Sequence, residues 1–93
     1  MTDKIHCAHI LVKSETEAKN IKARLDKGEK FGSIAKNVSL CPSGKNGGDL
    51  GTFTRGKMVK EFEKAAFEGE KGKVLGPVKT QFGYHLIKVL EKR

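Results

Sequence analysis

The chain has 93 residues, of which 37% are hydrophobic and 32% charged. This size and balance predict a single small globular domain over residues 1–93 and exclude a disordered chain. The longest apolar run, residues 10–12, is far shorter than the roughly 18 residues of a membrane span. The N-terminus has no apolar segment typical of a signal peptide, so we expect a cytoplasmic protein.

The net charge of +8 arises from 19 basic and 11 acidic residues. Only Arg24, Arg55 and Arg93 among the basic residues are arginines. Arginine reads guanine or phosphate with two hydrogen bonds, whereas scattered lysines give solubility and weak attraction to any polyanion. We therefore expect weak attraction to acidic proteins or an anionic membrane and no specific nucleic-acid partner. A small basic nucleic-acid-binding domain is the alternative that the charge alone supports.

The first predicted element is a strand over residues 5–12, where apolar side chains occupy both faces. His9 and Leu11 share one face of this strand, and His6 lies on the other. Two helices are predicted next. Ser14 and Glu17 form a capping-box pattern at the start of the first helix, and Gly28 is placed to end it in a left-handed conformation.

The second predicted helix covers residues 31–38, where apolar residues recur at the spacing of one helical face. The rest of the chain predicts a glycine-rich loop, a strand, a helix and two strands, over residues 39–51, 50–54, 58–69, 76–79 and 84–90. Proline at the start of the strand over 76–79 favours an edge position. The strongly apolar first and last strands predict neighbours inside one sheet, which gives an α+β domain.

Two histidines stand out because His9 interrupts the first strand and His85 interrupts the last. If these strands are neighbours, the two rings can hydrogen-bond each other across the sheet. Cys41 lies in the glycine-rich loop, and we interpret it and Cys7 as free thiols, since no paired-cysteine or metal-ligand spacing is present. A cysteine hydrolase is disfavoured, because the chain is short and no Asn or Asp is placed to orient a histidine.

These features together resemble the parvulin family of peptidyl-prolyl cis/trans isomerases. Four segments carry the resemblance, which covers almost the whole chain: HILV at 9–12, SLCPSG at 39–44 with GGDLG at 47–51, RGKMV at 55–59 with EFEKAAF at 61–67, and GPVKTQFGYHLIKV at 76–89. One departure is Glu61, where many relatives have proline before the pocket phenylalanine.

The resemblance implies the parvulin fold, a four-stranded antiparallel sheet surrounded by helices. It also implies eight site residues. The catalytic polar group is His9, Cys41, Thr80 and His85, and the substrate-binding group is the proline pocket of Leu50, Met58 and Phe62 with Phe82 at its rim. The implied activity is non-covalent rotation about X–Pro bonds in peptides and flexible or unfolded protein segments, by a monomer that needs no metal or cofactor.

Some parvulins prefer phosphorylated serine or threonine before proline, through basic residues on a long loop after the first strand. Here only Lys13 separates that strand from the cap of the first helix, so we expect no phosphate specificity. A non-catalytic proline-peptide-binding or chaperone module on the same fold is a further alternative, which only an activity measurement separates.

Overall fold

The computed structural model describes residues 3–92. Its strands are β1 (Lys4–Val12), β2 (Asp49–Thr54), β3 (Val74–Thr80) and β4 (Gly83–Lys92), and its helices are α1 (Glu15–Asp26), α2 (Phe31–Val38) and α3 (Lys60–Glu68). A single 3-10 segment, Pro42–Asn46, lies in the long connection before β2. The strands form one antiparallel sheet in the order β2-β1-β4-β3, which confirms the predicted four-stranded α+β fold.

The terminal strands β1 and β4 form the centre of the sheet, as their apolar character predicts. Leu11 pairs with His85 and His9 pairs with Ile87 in the register between them. The two histidines therefore lie on neighbouring strands, and their positions differ by two residues along the strand direction. Strand β3 lies at an edge and carries Pro77, whose peptide bond to Gly76 is cis.

One face of the sheet, which we call the helix face, is covered by α1 and α2. Alternate residues of β1, namely Ala8, Ile10 and Val12, are buried there against the apolar sides of both helices. The Ser14 hydroxyl accepts a hydrogen bond from the Glu17 backbone N–H at 3.0 Å, which fixes the start of α1 as predicted.

The opposite face, which we call the α3 face, has a second apolar cluster. Ile5 and Cys7 of β1 and Ile87 and Val89 of β4 are fully buried beneath α3. Removing so much apolar surface from water on both faces is the main stabilising contribution that a small domain has. The cluster ends where His9 and His85 replace apolar residues, and the site begins there.

Several predicted boundaries differ from the structure. Helix α3 begins at Lys60, so the predicted start at residue 58 is wrong and Met58 lies before the helix. Val59 has extended dihedral angles, φ −60° and ψ 150°, and serves as the N-cap. Strands β3 and β4 are longer at both ends than predicted, and the predicted loop contains a 3-10 turn. None of the described helices is long and apolar enough to cross a membrane.

Candidate active site

A cavity of about 440 Å³ opens on the α3 face beside the two histidines. Its lining comes from β1, β2, β4, α3, the turn between β3 and β4, and two irregular connections, residues 39–48 before β2 and residues 55–59 after it. The lining residues are His9, Leu11, Leu40, Cys41, Pro42, Leu50, Lys57, Met58, Val59, Phe62, Phe82 and His85. Seven of the eight residues predicted for the site belong to this lining, and the eighth, Thr80, contacts it through His85. A wider groove of about 650 Å³ on the helix face has none of the buried histidine and threonine side chains in its lining.

Three buried polar side chains form a hydrogen-bonded chain below the cavity. The Nδ1 atoms of His9 and His85 are 2.9 Å apart, and Nε2 of His85 is 2.8 Å from the Thr80 hydroxyl. Each of the three residues is less than a tenth exposed. The predicted pairing of the histidines across the sheet is therefore present, with threonine as its third member.

The hydrogen bonds around Thr80 indicate where the imidazole protons lie. The Thr80 hydroxyl oxygen accepts from the Phe82 backbone N–H at 3.2 Å, so its own hydrogen is available to His85 Nε2. His85 then carries its proton on Nδ1 and donates it to His9 Nδ1. We assign this arrangement because it satisfies every polar atom of the three side chains except His9 Nε2, which has no partner among the described residues.

Both histidines are held neutral. Burial, together with the nearby His85, lowers the pKa of His9 from its ordinary 6.5 to about 4. Burial also lowers the pKa of His85. The pair therefore acts at neutral pH as a fixed set of dipoles and not as a charge.

The phenyl ring of Phe62 joins the polar chain to the apolar cavity. It stands edge-on to both imidazoles, with centroid distances of 5.6 Å to His9 and 5.5 Å to His85. Phe62 is almost fully buried in the cluster of the α3 face. Leu50 and Met58, both half-buried, pack against the same cluster and line the cavity beside it. The three residues form the apolar wall of the cavity, and Phe62 connects this wall to the histidines.

The first irregular connection, residues 39–48, covers the part of the β1 edge that does not pair with β2. The His9 N–H donates to Gly48 O at 2.9 Å, the Leu40 N–H donates to Leu11 O at 2.8 Å, and the Leu11 N–H donates to the Ser39 hydroxyl at 3.1 Å. Gly48 has φ +86°, and a Cβ at that position would collide with the His9 carbonyl oxygen. Only glycine lets the connection approach the strand this closely.

Cys41 lies on this connection and is half-buried in the cavity wall. Its backbone N–H donates weakly to the Ser39 hydroxyl at 3.4 Å. Within residues 3–92 its thiol makes no hydrogen bond to His9 or His85. The structure thus brings Cys41 into the site but leaves it apart from the histidine and threonine chain.

The second irregular connection, residues 55–59, carries Lys57 and Met58 to the cavity. Two contacts hold it against α3. The Arg55 guanidinium lies 4.2 Å over the Phe67 ring, and the Gly56 N–H donates to the Glu63 carboxylate. These contacts explain how Met58 reaches the cavity from outside the helix.

Five lining residues were not predicted as site residues: Leu11, Leu40, Pro42, Lys57 and Val59. The strand alternation that places Leu11 on the face of His9 was a usable signal for Leu11. No local pattern signals Leu40 or Lys57, because their positions depend on contacts between segments distant in sequence.

Comparisons with known proteins agree with this geometry. The rotamase family, described as the PPIC-type PPIase domain, matches residues 9–91. The foldase protein PrsA of Geobacillus kaustophilus is 59% identical over 90 residues, which are 96% of this chain and 32% of that protein. The chain thus spans about a third of the length of the curated relatives that it matches.

Two solved structures share the fold. The crystal structure of the peptidylprolyl isomerase PrsA from Bacillus anthracis has a TM-score of 0.97 and 44% identity, covering 99% of this chain and 43% of that one. The solution structure of NmPin, the parvulin of Nitrosopumilus maritimus, has a TM-score of 0.88 and 49% identity, covering 98% of this chain and 99% of that one. The chain therefore belongs to the family of PPIC-type, or parvulin-type, peptidyl-prolyl isomerases.

Proposed function

We propose that this domain catalyses cis/trans isomerisation of X–Pro bonds in peptides and in flexible or unfolded protein segments, and so assists folding. The observation that carries the proposal is the cavity of about 440 Å³, which combines an apolar wall around Phe62 with a neutral, hydrogen-bonded histidine pair in contact with that ring. The volume is in the range of sites that bind small ligands. It holds a prolyl ring against Leu50, Met58 and Phe62.

The chemistry of the reaction suits such a site. The amide bond rotates over a barrier of about 18–20 kcal/mol, because the planar form is stabilised by resonance. Twisting the bond removes the resonance and reduces the charge separation between oxygen and nitrogen. An apolar surface therefore favours the twisted state over the planar state more than water does. A ten-thousandfold acceleration needs only about 5.5 kcal/mol of such preference.

The polar side chains take supporting roles in this proposal. His9, His85 and Thr80 form a rigid scaffold that sets the shape of the cavity floor, since each is buried and hydrogen-bonded to the next. Cys41 lies in the wall close to the carbonyl that precedes proline and acts as a polar group without forming a covalent bond. No step needs a nucleophile or a metal ion.

The family and the site favour this activity over the alternatives. A small nucleic-acid-binding domain is supported only by the net charge of +8, and a non-catalytic peptide-binding module leaves the buried histidine pair without a role. The deciding experiment is NMR exchange spectroscopy on a short Ala–Pro peptide. We expect cis/trans exchange cross-peaks to grow with added protein; their absence at millimolar peptide would refute the activity.

We further propose that the isomerase is a single domain over residues 1–93 and a monomer. Support for a monomer comes from the surface, since both strongly exposed large apolar side chains of the described chain, Leu40 and Phe82, line the site. Sedimentation at rising protein concentration tests this: a constant mass of one chain supports it, and a concentration-dependent dimer refutes it.

Cytoplasmic localisation is likewise a proposal, supported by the two unpaired thiols Cys7 and Cys41. Fractionation of source cells tests it.

The lysine-rich surface is proposed to attract acidic proteins or anionic membranes weakly, which predicts binding that disappears at physiological salt.

A further inference from the structure

A groove of about 650 Å³ lies on the helix face, where the turn between α1 and α2 meets β1 and β4. Its floor is apolar: Ala8 and Phe31 are buried, and Leu25, Val74 and Leu90 are half-buried against the cluster of that face. The groove shares no lining residue with the cavity of about 440 Å³, so the proposed isomerisation does not use it. A concave apolar surface apart from the active site points to a second binding site.

The groove continues into a second concavity of about 510 Å³, which we call the basic notch. The residues that line the notch are Lys30, Gly32, Ser33, Lys36, Lys45, Asn46 and Gly47. Three of them are lysines and none is acidic. Lys30, Gly32, Asn46 and Gly47 line the groove as well, so one ligand can occupy both concavities.

Two glycines keep the passage between the groove and the notch open. Gly47 has φ +72°, and a Cβ at that position would lie 3.3 Å from the Gly32 Cα. A Cβ on Gly32 would lie 3.6 Å from the Gly47 Cα, which is an ordinary van der Waals contact. The passage is therefore bare backbone, and a larger side chain at position 32 would narrow it without a collision at its Cβ.

The charges around both concavities favour an anionic ligand. The two acidic residues of the groove are already satisfied, since the Glu29 carboxylate pairs with Arg24 at 2.8 Å and the Asp49 carboxylate lies 2.7 Å from His6 Nε2. Several lysines of the two linings have no carboxylate within 4.0 Å among residues 3–92: Lys30, Lys36, Lys45 and Lys88. The charge that remains for a ligand to neutralise is positive.

The shape of this surface favours a protein segment over a membrane. A bilayer surface is flat on this scale and contacts lysines that protrude, whereas both concavities accept side chains that project from a partner. A peptide segment presents apolar and charged side chains a few residues apart, which matches an apolar groove beside a basic notch. Burial in the groove supplies an attraction that salt does not screen, unlike attraction to the lysine-rich surface in general.

We propose that the groove and the basic notch together form a docking site for an acidic amphipathic segment of another protein, with its large apolar side chains in the groove and its carboxylates in the notch. The docking site lies on the opposite face of the sheet from the isomerase cavity, so a bound partner leaves that cavity open. A protein held there brings its other segments to the cavity at a raised effective concentration.

The probe for the test is a short proline-free peptide in which leucine and phenylalanine alternate with serine and are followed by three glutamates. Fluorescence anisotropy at about 0.15 M salt measures its dissociation constant. We expect the affinity to fall about tenfold or more when lysines replace the glutamates, and likewise when serines replace the apolar residues. Equal binding of the lysine peptide, or no binding of the probe at millimolar concentration, would overturn the proposal.

Variants of the protein test the two halves of the docking site. Lys36→Glu with Lys45→Glu reverses the charge of the notch, and both side chains are exposed, so the core is untouched. Gly32→Leu places a branched side chain over the passage. We expect each change to weaken binding about tenfold or more. Lys13→Glu with Lys79→Glu is the control of equal charge, since both lysines are exposed and lie outside both concavities.

NMR shifts locate the bound peptide. Shifts centred on Gly47, Val74 and Leu90, with His85 unmoved, support the docking site, and shifts centred on His85 refute it. The proposal also fails if the control pair weakens binding as much as the notch pair, or if Gly32→Leu binds the peptide like wild type.

A second arm separates a protein partner from a membrane. Vesicles of phosphatidylcholine and phosphatidylglycerol in equal parts replace the peptide in sedimentation with the same variants. If Lys36→Glu with Lys45→Glu abolishes vesicle binding and leaves peptide binding unchanged, the notch contacts lipid and the proposal fails. Isomerase activity enters none of these measurements, so an inactive domain leaves the docking site intact.

Discussion

The two faces of the sheet are built from the same strands, yet only one of them carries the candidate active site. On the helix face, Ala8, Ile10 and Val12 of β1 are all buried under α1 and α2, and the cluster continues along the strand. On the α3 face the alternate residues Ile5 and Cys7 are equally buried, but the cluster stops at His9. The difference arises because two helices, α1 and α2, cover the helix face. On the α3 face the single short helix α3 covers only part of the sheet.

The uncovered half of the α3 face is closed by two irregular connections instead of a helix. These connections supply Cys41, Leu40 and Met58, each of which lies at least partly exposed in the cavity wall. A helix presents a continuous apolar side, whereas a connection held by a few hydrogen bonds leaves a gap. The site therefore lies where regular secondary structure ends above an otherwise continuous apolar core.

The largest expected effect comes from Phe62→Ala, because Phe62 belongs both to the core and to the pocket. Truncating a fully buried phenylalanine costs about 3–5 kcal/mol of unfolding free energy and opens the proline pocket to water. Phe31→Ala on the helix face is the matched control, since Phe31 is also buried but lies outside the cavity. Urea unfolding and exchange rates per folded molecule measure both effects.

We expect both variants to lose stability and only Phe62→Ala to lose turnover. Equal turnover in the two variants would mean that the pocket is not where the structure places it.

A second contrast between the faces uses glycine. Gly48→Ala combines about 1–2 kcal/mol of left-handed strain with a collision against the His9 carbonyl, which adds about 1–3 kcal/mol. Gly28→Ala, after α1, has φ +103° and no neighbouring atom within 4 Å, so it carries strain alone. Thermal unfolding should rank Gly48→Ala as the more damaging change, with β1 and the histidine pair displaced in NMR spectra. The reverse ranking would refute the close approach of the connection to β1.

The histidine pair predicts a loss of stability in mild acid. Above pH 6.5 both the folded and the unfolded chain hold His9 neutral. Below pH 6.5 His9 becomes protonated in the unfolded chain. In the folded chain it stays neutral down to its lowered pKa of about 4. The free energy of unfolding therefore decreases by about 1.4 kcal/mol for each unit by which the pH falls below 6.5. The total for His9 is about 3 kcal/mol. Burial of His85 changes the stability in the same direction.

Urea unfolding at pH 7, 6 and 5 measures this slope before most carboxylates titrate. His9→Phe removes one titrating ring and should reduce the slope, whatever its own stability at pH 7. A wild-type stability that stays flat from pH 7 to 5 contradicts the buried neutral pair.

Much of the fold could be predicted from the sequence because its signals are local. Strand alternation placed His9 beside Leu11, and the Ser14 cap placed the start of α1. The resemblance to parvulins supplied the pocket residues. The predicted helix over residues 58–69 began two residues too early, because the apolar side chain of Met58 is equally compatible with an extended segment before an N-cap at Val59.

The wall of the site was harder to predict because it depends on long-range backbone contacts. Leu40 reaches the cavity through hydrogen bonds to β1, which lies nearly thirty residues away in sequence. No periodicity or composition encodes such a contact. The separation of the Cys41 thiol from the histidines was equally invisible, since the sequence places them near the site but gives no side-chain geometry.

Cys41 itself provides a smaller effect that tests the chemistry. Because the thiol is not hydrogen-bonded to either histidine, nothing in the site activates it as a nucleophile. Cys41→Ser and Cys41→Asp should therefore both keep appreciable isomerase activity in the exchange assay. Loss of activity in both variants, with a tetrahedral adduct of the intact peptide on the wild-type thiol detected by mass spectrometry, would establish a covalent mechanism instead.

The smallest expected effect is that of phosphorylating the residue before proline. Strand β1 ends at Val12 and Ser14 caps α1, so Lys13 is the whole connection between them. A single lysine is a hydrated point charge and does not clamp a phosphate as a pair of arginines does. The general positive charge attracts an anionic peptide only over about 8 Å at physiological ionic strength.

We expect Ser–Pro and phosphoserine–Pro peptides to be isomerised at similar rates at 0.15 M salt, with any difference shrinking as salt rises. Lys13→Ala should leave the ratio unchanged, since the lysine contributes no specific contact. A hundredfold preference that survives high salt would reveal a phosphate site beside the cavity and would contradict the absence of phosphate specificity.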